Sequence, residues 1–114
     1  KTSKLFVYGT LKRGHSAHHL MRGAKFLCEY ACNGTLYGSS DGHHYPVARF
    51  LTGNTIHGEL YEITDDMISK LDAYEGHPHL YLRKTIMDEV MDPYSVFEYQ
   101  GDVSHMTPNE NGRF

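Results

Sequence analysis

The sequence predicts an α+β domain, a curled mixed sheet carrying two short helices. Three observations point there. Nine Tyr and five Phe with no Trp form an aromatic load that leans toward strands. Strand-like apolar runs separated by turn residues recur along the chain. Only two segments carry helix start and stop signals. The 114 residues supply material for one domain, and folding a chain of this size hides roughly two-thirds of its surface. That leaves room for one core and one site, and excludes two large lobes closing on a dinucleotide.

The elements follow in order. Lys4 to Tyr8 (KLFVY) is a near-continuous apolar run, which suits a strand buried on both faces. It ends at Gly9, and polar residues Thr10 to His15 follow. Ser16 is placed to cap a short helix from Ala17 to about Arg22, stopped by Gly23. Ala24 to Ala31 reads as a strand, and Thr35 to Tyr37 as another after an Asn33-Gly34 turn. Ser39 to His44 is a loop, and Tyr45 to Leu51 is extended because Pro46 disfavours helix before it. Thr52-Gly53-Asn54 reads as a hairpin connection into a strand over Thr55 to Ile63. Thr64-Asp65-Asp66 opens the second helix, with a capping hydroxyl and two acids at the positive end of the dipole. That helix runs to about Glu75, where Gly76 stops it and Pro78 prevents resumption. Leu80 to Val90 and Tyr94 to Tyr99 read as strands joined by a turn at Asp92-Pro93. Residues 1–102 are read as the domain and 103–114 (VSHMTPNENGRF) as a polar tail with local order.

Composition narrows the function. Hydrophobic residues make up 39% and charged residues 22%, which excludes a disordered chain. A formal charge of -3 and a pI near 6.3 create no phosphate-seeking field, so no nucleic-acid partner is expected. No run approaches the ~20 apolar residues that cross a bilayer, and no basic-then-apolar leader opens the chain, so neither a membrane nor secretion is expected. Cys28 and Cys32 would lie about 13 Å apart on one strand, beyond disulfide reach. Reduced thiols and a cytoplasmic location are the expectation. Asn33-Gly34-Thr35 spells a glycosylation sequon but is read as a turn.

One carboxylate stands apart. Ile68 and Leu71 define the inward stripe of the second helix, and Glu75, seven residues after Ile68, points within about 20° of it. An acid in apolar surroundings has its charged form disfavoured and its pKa raised, which equips it for proton transfer near neutrality. Spacing alone leaves a second reading open, a helix-end Glu that frays outward. Tyr8-Gly9-Thr10-Leu11 places a glycine at the end of a buried strand, where successive N–H groups can converge on an anion or a developing oxyanion. A plain strand-end turn is the alternative there. Gly9 to Ser16 falls one residue short of a phosphate-binding loop, with His15 where Lys is required. Nine histidines, His15, His18, His19, His77 and His79 among them, show no zinc-ligand spacing, so no metal is expected. Cys28 sits in a predicted strand without a basic partner and is read as inert.

Taken together, LFVYGTLKRG (5–14), HGELYEI (57–63), LDAYEG (71–76) and the Pro78…Tyr81-Leu82-Arg83 sequel resemble the γ-glutamylcyclotransferase-like family, specifically its γ-glutamylamine cyclotransferase branch. The resemblance spans roughly the first 90 residues. It implies a small mixed, barrel-like β-sheet with two short flanking helices. It implies that Tyr8, Gly9, Thr10 and Leu11 form the substrate-binding loop, that Tyr81 lines the pocket and that Glu75 is the catalytic acid/base. Arg83 is read as structural, paired with a carboxylate. Many relatives carry an aromatic run such as WVY where this chain has Val96-Phe97-Glu98-Tyr99, so Phe97 and Tyr99 are both candidates to close the pocket. The implied reaction is cyclisation of a small γ-glutamyl amide to 5-oxoproline and a free amine, with no cofactor. A non-catalytic binding module of the same fold is the rival reading. An acid on an apolar stripe argues against it, because a pure binder gains nothing from that burial.

Overall fold

An apolar run that alternates toward two buried faces belongs in the middle of a sheet, and β1 (Thr2–Val7) lies there. The computed structural model describes residues 2–38, 46–87 and 93–114. After β1 come β2 (Lys25–Tyr37), β3 (Val47–Thr64), helix α1 (Asp65–Glu75), β4 (Tyr81–Ile86) and β5 (Tyr94–Tyr99). The strands form one sheet in the order β2-β3-β1-β5-β4. β1 pairs antiparallel with β3, from Thr2↔Thr64 to Val7↔Glu59, and parallel with β5 through Lys4↔Tyr94. Leu5 and Val7 enter one core cluster with Tyr61, Ile63, Leu71 and Phe97, whereas Phe6 and Tyr8 enter the other with Leu36, Phe50, Leu60 and Val96. Both faces of β1 are therefore covered.

Two predicted breaks are continuous strand. Asn33-Gly34 is an irregularity inside β2 and not a turn, because the ladder continues from Asn33↔Thr55 to Gly34↔Phe50. Thr52-Gly53-Asn54 accordingly belongs to an outward excursion of β3 over residues 51–54 and makes no hairpin. Side-chain bonds close the ladder beneath it. Asn33 Oδ1 accepts from Gly53 N–H at 2.8 Å, Asn54 Nδ2 donates to Thr35 Oγ1 at 2.8 Å, and the hydroxyls of Thr35 and Thr52 lie 2.6 Å apart. Leu51 and Gly53 adopt left-handed conformations (φ 61° and 97°), so the residues that signal a turn do bend the backbone without reversing the strand.

The first predicted helix shrinks to one 3₁₀ turn over His18–Met21 with Ala17 at its N-cap, and Ser16 does not cap it. Ala17 N–H is instead engaged by Thr10 O at 2.9 Å, which ties this segment to the loop after β1. The second helix forms as read. Thr64 Oγ1 accepts from Met67 N–H, Asp65 and Asp66 occupy the first turn, and Gly76 ends the helix at φ 69°. β4 pairs antiparallel with β5. The predicted loop at 39–44, Tyr45, and the 88–92 portion of the last predicted strand and turn lie outside the described residues.

The sheet curls so that the start of β3 meets β5 across β1. Phe50 N–H of β3 donates to Glu98 Oε2 of β5 at 2.9 Å, and Arg49 Nη2 donates to Gly101 O at 2.5 Å. Residues 103–114 return along the sheet. Val103 and Met106 pack on the core, Asn109 N–H donates to Leu36 O at 2.7 Å, and His57 N–H donates to Gly112 O at 2.7 Å. Among the described residues no helix is long and apolar enough to cross a membrane.

Removing the helix cap tests the origin of α1. Thr64→Ala leaves Met67 N–H without its partner, and an expected loss of about 1 kcal/mol is measurable as a lowered urea midpoint with unchanged slope.

Candidate active site

Beyond Val7 the chain leaves the sheet as the Tyr8–Leu11 loop, and several bonds fix its path. Tyr8 donates its hydroxyl to Phe97 O at 2.7 Å. Lys12 N–H donates to Gly9 O at 3.0 Å and Ala17 N–H to Thr10 O at 2.9 Å. His18 Nδ1–H donates to Leu11 O at 2.8 Å. The last three bonds engage the carbonyls of Gly9, Thr10 and Leu11 and not the loop's amides. Gly9 is required for a reason different from the one the sequence suggests. Its φ lies outside the left-handed region, but a Cβ here would fall 2.5 Å from Pro46 Cγ. Close approach of a proline ring, and not rotational freedom, keeps this position a glycine.

Across the cleft, α1 delivers Glu75. Leu71 is buried and Met67 and Ile68 pack on the core, so the apolar stripe faces the sheet as its spacing predicts. The last turn does not fray. Arg83 of β4 grips Asp72 with two bonds of 2.8 and 3.1 Å, the carboxylate partnership expected of it. Arg83 N–H also donates to His77 Nδ1 at 3.0 Å, which fixes the turn after the helix. Glu75 is thereby held against a cleft of about 200 Å³. Burial pushes its carboxyl up to about 7, and among the described residues no cation or hydrogen-bond donor offsets that effect.

Tyr8, Gly9, Thr10, Leu11, Glu75 and Tyr81, the six residues singled out from the sequence, all line this one cleft. Tyr81 donates its hydroxyl to Pro46 O at 3.1 Å. Burial first, then the nearby Tyr81, Glu75 and Glu98, hold the Tyr8 phenol well above its ordinary range, so it stays neutral. Phe97 lines the cleft, whereas Tyr99 packs on the Tyr81 ring with centroids 5.6 Å apart. A carboxyl that titrates near neutrality, facing a backbone loop between aromatic walls, can take and return a proton at a polar group held there. Among the described residues no three His, Cys, Asp or Glu side chains are gathered to hold a metal ion.

Sequence reasoning passed over two contributors. Pro46 forms the wall against Gly9 and carries no signal beyond its effect on local backbone. Glu59 is buried on β3 and accepts from Arg13 N–H at 3.0 Å, Arg13 Nε at 3.2 Å and Tyr61 Oη at 2.9 Å. Burial pushes its carboxyl up, but these bonds outweigh that and hold it below the ordinary carboxylate range. It thus anchors the far end of the loop that begins at Gly9. Its signal was its phase, since Glu59, Tyr61 and Ile63 alternate toward one face.

Comparison with known proteins places the fold and this site in context. Residues 5–113 match the family model described as gamma-glutamyl cyclotransferase, AIG2-like. The chain belongs to this family. A gamma-glutamylcyclotransferase family protein of Citrobacter rodentium is 34% identical over 116 residues, covering 97% of this chain and 94% of that protein. Rat gamma-glutamylaminecyclotransferase is 32% identical over 96 residues, covering 77% of this chain and 64% of that enzyme. The solution structure of ytfP from Escherichia coli matches with a TM-score of 0.73 at 32% identity, over 97% of this chain and 95% of that one. The α+β architecture of this gamma-glutamyl cyclotransferase family member is thus that of its relatives.

Two outcomes follow for this family member. Glu59→Ala strips Arg13 N–H and the Tyr61 hydroxyl of their acceptor. An expected loss of about 2 kcal/mol is measured by denaturant unfolding, discounted because the Arg13 side chain is half exposed. Glu75 acts in the opposite sense. Its folded pKa lies near 7 against an ordinary 4.5, so the native state binds more protons in that interval and stability falls as pH rises through it. Glu75→Gln removes that penalty, so at pH 8 it is more stable than the parent by roughly 2–3 kcal/mol and melts higher, and near pH 4 the two match.

Proposed function

We propose that this chain is a γ-glutamyl cyclotransferase of the γ-glutamylamine type, with Glu75 as general acid/base. The observation that carries the reading is the placement of Glu75, buried enough to titrate near 7, across one cleft from the Tyr8–Leu11 loop. The rat relative's name supports the amine branch. The substrate class is a small γ-glutamyl amide.

Such a substrate carries its own nucleophile. The α-amino nitrogen attacks the γ-carbonyl carbon, a new C–N bond closes the five-membered ring, and the carbonyl oxygen takes the negative charge. Glu75 accepts the proton from the attacking nitrogen and delivers it to the leaving nitrogen. The original amide C–N bond then breaks, releasing 5-oxoproline and a free amine. Water is not consumed and no cofactor enters the balance. Because the attack is intramolecular, the site's task is to fold the substrate into a reactive geometry. Amides of the Tyr8–Leu11 loop hold the glutamyl carboxylate or the oxyanion, and each well-aimed donor on the oxyanion is worth up to ~3–4 kcal/mol. Tyr8 and Tyr81 wall the substrate in, their hydroxyls donated to Phe97 O and Pro46 O.

The test is a panel of γ-glutamyl amides read out as 5-oxoproline by mass spectrometry. The parent protein releases it, and Glu75→Gln, which cannot relay a proton, loses about 10²–10⁴-fold in rate. Full activity in the Gln variant, or no release from any amide, overturns the proposal. The pH dependence gives a separate check. The base works deprotonated, so kcat/KM falls on the acid side of about 7, approaching tenfold per unit. A profile flat from about pH 5 to 9 contradicts a titrating carboxylate.

A further inference from the structure

The mouth of the cleft carries apolar surface that the cyclisation chemistry leaves unused. Tyr74 and Leu80 are 50% and 45% exposed, yet both line the cleft beside Glu75. Their positions are fixed relative to the carboxylate. Tyr74 immediately precedes Glu75 on α1. Leu80 is folded back on the helix end by a 2.9 Å bond from its N–H to Gly76 O. Gly76 lets it sit there, since a Cβ at that position would come 3.1 Å from Leu80 Cβ.

Resting on the reading above, we infer that Tyr74 and Leu80 select the leaving amine, favouring γ-glutamyl amides of apolar amines. Glu75 must reach both the attacking and the leaving nitrogen, so the leaving nitrogen stands at Glu75 and its substituent extends away from there. The glutamyl half occupies the Tyr8–Leu11 side, where backbone amides meet its polar groups. The substituent therefore runs the other way, over Tyr74 and Leu80. Methylenes laid on those side chains take apolar surface out of water on both partners. A second charge on the substituent gains nothing comparable, because among the described residues that line the cleft Glu75 is the one carboxylic acid and none is a Lys, Arg or His. An ammonium group laid over these side chains gives up part of its hydration without acquiring a carboxylate of its own among the described lining residues.

The experiment uses the full chain and γ-glutamyl n-alkylamides from methyl to hexyl, with the amide of 1,6-diaminohexane as the charged comparator. Expected is a rise in kcat/KM of about threefold per added methylene until the two side chains are covered. The hexyl amide then exceeds its ω-ammonium counterpart at least tenfold. Leu80→Ser and Tyr74→Ser each flatten the slope; both side chains stand half in water, and circular dichroism verifies the fold. A flat series, an equally good ω-ammonium amide, or an unchanged slope in both variants overturns the inference while 5-oxoproline is still released. Absence of 5-oxoproline from every amide overturns the cyclisation reading itself, and this inference with it.

Discussion

A carboxylate partly withdrawn from water with no cation beside it has the free energy of its charged form raised, and the elements around Glu75 keep it there. The apolar stripe of α1 commits the helix to one rotation, with Leu71 buried against the sheet. Left to itself, the final turn of a helix would open and let the acid escape to solvent. The two-pronged contact between Arg83 and Asp72 prevents that by fastening the last turns to β4. Gly76 then reverses the chain so that the next residues close over the helix end. Structure and chemistry pull in opposite directions at this one side chain. The fold carries a group whose ionisation weakens it as pH rises from 4.5 toward about 7, and the proposed proton transfer would be the compensation.

The opposite wall is built by different means. β1, buried on both faces, is the most constrained strand in the sheet, so the point where it ends is well defined. Gly9 and Pro46 touch there with no space for a methyl group. The loop that follows is held along its length by Ala17 and His18 from the next turn of the chain and by Glu59 from β3. The curl of the sheet, fastened where Phe50 of β3 bonds Glu98 of β5, sets Pro46 against Gly9 at the end of β1. One wall is therefore a helix end and the other a strand end, each held by bonds within the protein. That arrangement suits a reaction whose main requirement is a folded substrate.

Much of this was legible in the residues because local rules act at short range. Thr64, Asp65, Asp66 and Gly76 delimit α1 by groups within a few positions of each other, and helical spacing alone oriented Glu75. The mistaken breaks at Asn33-Gly34 and Thr52-Gly53-Asn54 have a common cause. Each segment bends as a turn should, but side-chain bonds between the two, nearly 20 residues apart in sequence, let the ladder run through. Ser16 failed as a cap because the loop carbonyls, remote from any periodicity signal, compete for the same stretch of backbone. Pro46 was invisible as a wall for the same reason, since its neighbour Gly9 lies 37 positions away. Glu59 was readable in principle, being an acid in phase with Tyr61 and Ile63.

The returning C-terminal segment has a consequence for how molecules behave toward one another. β2 is the outermost strand on its side of the sheet, and free backbone groups along such a margin are a template on which another chain can add. Asn109 occupies the carbonyl of Leu36 there, and Pro108, which has no N–H to offer, bridges to Tyr37. A neighbour seeking to extend the ladder from that end meets occupied acceptors and a residue unable to propagate it. The segment thus acts as a selvedge, finishing the fabric so that sheets from crowded copies do not knit into filaments at that corner.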